Sequence, residues 1–117
     1  KVKFVGMTTK PLDYIGRSRI LLYPSTVAHF PRPIIEALCV GTLPVASILP
    51  GIDEIIIDQF NGILFENGSL LSLLNAINSI TTEKHNRLVK NGYKTYLDKF
   101  SEKNEDRIID VVKRVMN

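Results

Sequence analysis

The chain reads as short apolar runs set between polar stretches rich in Gly and Pro. Four runs are continuous rather than alternating. They are Lys3-Phe4-Val5, ended by Gly6; Ile20-Leu21-Leu22-Tyr23, stopped by Pro24-Ser25; Leu43-Pro44-Val45-Ala46-Ser47; and Gly62-Ile63-Leu64-Phe65. Strands apolar at every position are buried on both faces, which is the habit of parallel sheets. Between the runs the period changes to that of helices. Residues 33–40, PIIEALCV, open on Pro33 and stop at Gly41, the asymmetry expected of a helix. A shorter helix is predicted over residues 51–57. Ser69 is placed to cap another, with Leu70, Leu74, Ile77 and Ile80 on one face. After a helix–helix turn at Thr81-Thr82, a helix from about residue 83 to 99 carries Leu88, Val89, Tyr93, Tyr96 and Leu97, followed by Phe100. Ser101 then caps a last helix with the stripe Ile108, Ile109, Val112, Val115 and Met116.

Strands alternating with helices predict an α/β fold, a Rossmann-like parallel sheet with flanking helices and right-handed crossovers. The 117 residues suffice for one core. At 44% hydrophobic and 23% charged, the composition excludes a disordered chain, a collagen-like repeat and a coiled coil. No apolar run approaches the roughly 20 residues of a membrane span. The start lacks the apolar core and cleavage site of a signal peptide. It opens in a strand-like run with no initiating Met, as expected of a piece of a longer protein.

Fifteen basic and twelve acidic residues leave a net charge of +3. The basic residues are scattered, often beside acids as in Glu83-Lys84 and Asp106-Arg107, whereas nucleic-acid binding wants them clustered on one face. No nucleic-acid partner is expected. The single cysteine, Cys39, lies in an apolar run and reads as a buried free thiol. His29 and His85 are far apart, so no metal site is expected.

Ligands of open parallel sheets bind at the carboxyl ends of the strands. Three loops leave such ends, over residues 6–12, 24–33 and 47–53. The middle one leads into a helix start, where free N–H groups and a partial positive charge suit a phosphate. Pro31 and Pro33 have no N–H, so Phe30 and Arg32 must supply any backbone donors. The Arg32 guanidinium either adds charge beside an anion or points to solvent. Glu36, one turn into the helix among apolar neighbours, either accepts from two vicinal hydroxyls of a ribose or lies on the solvent face. The pattern leaves both pairs of alternatives open.

These residues resemble a family. The ordered blocks KFVG, ILLYPS, HFPRPIIEALCVGTLPVAS, LPGIDEII and NGILF, followed by SLLSLLNAI and KFSEKNEDRIIDVV, are similar to the donor-binding half of GT-B glycosyltransferases of the group 1, or family 4, retaining type. The resemblance implies that Glu36 holds the ribose hydroxyls of a nucleotide-diphosphate sugar. It implies that the backbone of Phe30, Pro31 and Arg32 faces the sugar and diphosphate, and that Met7 and Thr8 lie near the base. The family's first glutamate, which contacts the transferred sugar, falls at Ala28. That departure leaves no residue assigned as catalytic. His29 beside it can donate one hydrogen bond, although an incidental surface position is the simpler reading. Gly51 and Glu54 belong to a matching LPG-x-x-E block and are read as structural.

The family's fold implies that residues 1–117 are a partial donor domain whose closing helices begin near residue 83. Two further strand–helix units and an acceptor half would lie outside the chain. The full protein would be a metal-independent cytoplasmic hexosyltransferase needing no cofactor. It would meet a glycan, lipid or small-molecule acceptor, and touch the membrane peripherally if at all, through the absent half. The isolated chain should be inactive. The alternative is a catalytically degenerate GT-B module serving as scaffold or partner subunit. With its neighbours missing, the ILLYP strand would present an apolar edge. KFVG would then pair with it, another molecule would cover it through self-association, or a longer chain would supply the missing strands.

Overall fold

The computed structural model describes residues 1–27 and 30–101. In chain order the elements are α1 (Pro11–Gly16), β1 (Ile20–Tyr23), α2 (Arg32–Val40), β2 (Leu43–Ser47), β3 (Ile63–Phe65), α3 (Leu70–Asn78) and α4 (Thr82–Lys99). The three strands form a parallel sheet in the order β1-β2-β3. Ile20 lies opposite Leu43, Val45 opposite Ile63, and Ser47 opposite Phe65. The three strands follow the apolar runs closely.

β2 is the central strand, and all five of its residues are buried. Its side chains alternate between two cores, as the pleat requires. On one face Leu43, Val45, Ile63 and Phe65 pack with Leu73, Ala76, Ile80, Leu88 and Val89 of the α3–α4 hairpin. On the other, Ala46 packs with Ile34, Ile35 and Leu38 of α2, with Ile52, Ile55 and Ile56, and with Tyr96 and Phe100. Each fully buried Leu or Ile contributes roughly 1.5–3 kcal/mol relative to exposure. α4 therefore serves both cores, its first half one and its end the other.

The stop expected at Gly41 and the cap expected at Ser69 are in place, and Thr81, expected only as part of a turn, caps α4 as well. Gly41 ends α2 in the left-handed conformation at φ 78°, its N–H donating to the Ala37 carbonyl. The Ser69 hydroxyl accepts from the Ser72 N–H at the start of α3, and the Thr81 hydroxyl from the Lys84 N–H at the start of α4.

Several expectations are corrected. Residues 3–5 form no strand. Phe4 is 93% exposed, and among the described residues nothing pairs with the outer edge of β1. A three-residue segment gains no ladder without a neighbour, so direct pairing of KFVG with ILLYP does not occur here. Leu22, on the uncovered corner of that edge, is 43% exposed. Over residues 51–57 the chain makes turns through residue 55 and no helix, yet Ile52, Ile55 and Ile56 are buried as a helix would have buried them. The short α1 was not foreseen. The buried Thr42 hydroxyl donates to the Ile15 carbonyl (2.6 Å) and pins its end.

In α3 the predicted face is wrong except for Ile80. Leu73 and Ala76, with Ile80 just beyond, pack on the sheet, while Leu70, Leu74 and Ile77 are 69%, 47% and 37% exposed. Cys39 is half-buried rather than buried. The predicted last helix, with Ile108, Ile109, Val112, Val115 and Met116, lies outside the described residues, as do Ala28 and His29.

Candidate functional site

Because the three strands run parallel, their carboxyl ends share one rim. The buried Ser47 hydroxyl, at the end of β2, donates to the Ser25 carbonyl (2.6 Å) and stitches the loop after β1 to the middle of the sheet. Ser25 in turn donates from its hydroxyl to the Val27 carbonyl (2.7 Å). The start of the middle loop is thus held by the strand beside it before the chain turns into α2.

The α2 start differs from an open anion cradle. The Arg32 N–H donates to the Phe30 carbonyl (2.9 Å), and the Ile34 and Ile35 N–H groups both donate to the Pro31 carbonyl (3.0 and 3.4 Å). Pro33 has no N–H to offer. Of the two backbone donors expected at residues 30–32, Arg32 is therefore engaged. The Phe30 N–H makes no hydrogen bond among the described residues.

One turn into the helix, the Arg32 Nε lies 3.1 Å from the Glu36 Oε1. The two side chains differ in setting, 59% exposed for Arg32 and 18% for Glu36. Glu36 is therefore not a freely solvated surface acid, and the largely exposed Arg32 side chain is held against it. A carboxylate so enclosed needs a partner to offset its desolvation, and the arginine four residues earlier supplies it.

Beside the helix start lies an open cleft of about 520 Å³. Its walls are Phe30 and Pro31 from the loop after β1; Pro50, Gly51, Glu54 and Ile55 from the loop after β2; and Phe100 at the end of α4. Gly51 turns at φ 94°, a conformation that suits glycine and accounts for its place in the LPG block. A smaller hollow of about 160 Å³ lies between Pro24, Thr26, Ser47, Phe65 and the start of α3.

The structure thus groups Phe30 and Pro31 with Gly51 and Glu54, and Arg32 with Glu36. It does not bring Met7 and Thr8 to either hollow. Met7 is fully exposed in the segment before α1, and the Thr8 hydroxyl accepts from the Lys10 N–H (3.1 Å). Sequence reasoning missed Pro50, Ile55 and Phe100 as cleft residues. Their apolar character marked them only as turn or core.

A parallel sheet with flanking helices, and a braced carboxylate behind the loop of its first strand, makes a Rossmann-like α/β domain. Residues 1–95 match the model of the family described as glycosyl transferases group 1, and the chain belongs to that family. Its fold is that of the C-terminal domain of GT-B enzymes. HepE from Anabaena, solved with UDP, with UDP and glucose, and with UDP-glucose, is 24% identical. It superposes with a TM-score of 0.83 over 96% of this chain and 32% of its own. The C-terminal domain of the group 1 protein LpcC from Francisella tularensis is 21% identical over 85% of this chain and 52% of that one, with a TM-score of 0.74. Sucrose-phosphate synthase from Thermosynechococcus elongatus is 24% identical over 88% of this chain and 27% of its own, with a TM-score of 0.74. The chain therefore spans between about a quarter and a half of these solved chains. No curated protein matches it. Among the described residues no helix is long and apolar enough to cross a membrane.

Proposed function

We propose that residues 1–117 form part of the donor-binding domain of a retaining GT-B glycosyltransferase of the family 4 type. The full protein moves a hexose from a nucleotide-diphosphate sugar to an acceptor hydroxyl. The observation that carries this reading is the enclosed Glu36 carboxylate, ion-paired to Arg32 behind the rim loop of a group 1 domain. Glu36 accepts from the ribose hydroxyls. The segment of Phe30, Pro31 and Arg32 faces the sugar and diphosphate, and Met7 and Thr8 take the base side. Supporting the donor class, HepE was solved with UDP-glucose on the same fold.

The remaining assignments follow from the same reading. Further strand–helix units of the longer protein cover the outer edge of β1 in place of self-association. The acceptor, whether glycan, lipid or small molecule, binds the other half. The enzyme works in the cytoplasm or at the membrane surface, without metal or cofactor. Calorimetry on the full-length protein tests the core of this. Glu36→Ala should weaken donor nucleotide binding at least tenfold, about 1.4 kcal/mol. Unchanged affinity refutes the ribose role.

Ala28 favours a second reading. It stands where the resemblance implies a sugar-contacting glutamate, and a degenerate module acting as scaffold or partner subunit would lose that residue first. Turnover by the unaltered full-length protein refutes the second reading. Turnover gained only on Ala28→Glu supports it.

A further inference from the structure

The donor site needs a positive charge close to the diphosphate, and the start of α2 does not offer its amides. The Arg32, Ile34 and Ile35 N–H groups are spent on the Phe30 and Pro31 carbonyls, and Pro33 has none. The cation at this helix start is the Arg32 side chain. Its engagement with Glu36 is one-sided, through Nε to a single carboxylate oxygen. Among the described residues, the two terminal nitrogens of the guanidinium and the Glu36 Oε2 make no other hydrogen bond. A guanidinium has five N–H donors in a rigid fork, and a carboxylate has about four acceptor positions. The pair therefore holds its own geometry while keeping donors and acceptors for a ligand.

We infer that Arg32 is a positioning residue that couples recognition of the nucleoside to recognition of the diphosphate. Its Nε stays on Glu36 and fixes the carboxylate toward the ribose hydroxyls. Its terminal nitrogens donate to the phosphate oxygens. It also offsets the repulsion that the Glu36 charge would exert on an anionic donor. The site thereby selects a nucleoside diphosphate over the bare nucleoside. This inference rests on the donor-site reading above. It adds that the arginine bridges two parts of the ligand, a task to which lysine is poorly suited because its donors all sit on one compact ammonium and lack the rigid fork of separated nitrogens.

The test is a set of affinities on the full-length protein. UDP, GDP and ADP are titrated first, and the tightest binder is carried forward with its matched nucleoside. The variants are Arg32→Met, Arg32→Lys, Glu36→Gln and the double Arg32→Met/Glu36→Gln. Arg32 is largely exposed, so its replacements should fold, and thermal melts check that they do.

Arg32→Met should lose at least tenfold for the diphosphate and two- to threefold for the nucleoside. Arg32→Lys should recover less than half of the diphosphate loss on a logarithmic scale. The double variant should lose less than the product of the single losses. Three results overturn the inference alone while Glu36→Gln still weakens binding: an unchanged diphosphate affinity in Arg32→Met, equal losses for nucleoside and diphosphate, or full recovery by lysine. No effect of Glu36→Gln on the nucleoside, or no binding of any of the three diphosphates, overturns the donor-site reading itself.

Discussion

Asn61 is fully buried, and its side chain ties together three parts of the domain. Its Oδ1 accepts from the Ile57 N–H (2.8 Å), and its Nδ2 donates to the Ile55 carbonyl (3.0 Å) and to the Thr95 hydroxyl oxygen (3.1 Å) on α4. The Thr95 proton is already committed to the Asn91 carbonyl, so that oxygen can only accept. Asn61→Ala removes all three bonds. At about 1 kcal/mol net for each, and with the Ile55 carbonyl left unpaired, the cost should be about 3 kcal/mol. That is a large share of the roughly 5–15 kcal/mol that holds a domain of this size.

Asn61→Asp sharpens the argument because the shape is kept. One oxygen still accepts from Ile57, but the other now faces two acceptors in a buried setting. The protonated acid can donate to one of them, while the ionised form cannot. Burial and the facing carbonyl therefore raise its folded pKa above the unfolded value. A raised folded pKa means the stability is present at low pH and is lost as pH rises through that value. The deficit of Asn61→Asp against wild type should therefore be smaller at pH 4 than at pH 8. Urea unfolding followed by far-UV circular dichroism at the two pH values measures this. If both variants lie within about 0.5 kcal/mol of wild type, the ordinary range for surface changes, the network does not brace the fold.

Other substitutions probe the packing. At Gly92, midway along α4, an added Cβ would lie 2.8 Å from the buried Leu38 Cδ2. Helix propensity favours Ala by about 1 kcal/mol, but overpacking costs about 1–3, so Gly92→Ala should lower the melting temperature rather than raise it. Leu88→Ala, at a fully buried position shared with β2 and β3, should cost about 2–5 kcal/mol in denaturant titration, whereas Leu74→Ala on the exposed side of α3 should cost under about 1 kcal/mol.

Three of the four strands, the Ser69 cap and the Gly41 stop were legible because each has a local cause. Continuous apolar runs are satisfied by burial on both faces, and Ser69 and Gly41 act on groups within three or four residues of themselves. The face of α3 was not legible for the opposite reason. Leu70, Leu71, Leu73, Leu74, Ala76 and Ile77 make the helix apolar nearly all round, so its own period cannot choose a side. The position of β3 chooses Leu73 and Ala76. Residues 3–5 carry strand-like side chains, yet a strand exists only where a neighbour takes its N–H and C=O groups.

The candidate site divides in the same way. The chain's pattern alone placed Glu36 and Arg32 on adjacent turns of a helix behind a rim loop, because that spacing is a property of the helix. It could not say that Arg32 would reach back to an enclosed Glu36, nor that the amides of the α2 start would be spent on Phe30 and Pro31. The three-dimensional packing settled both. Burial depends on what lies against the helix, and a hydrogen-bond donor is free only if nothing nearer in space has taken it.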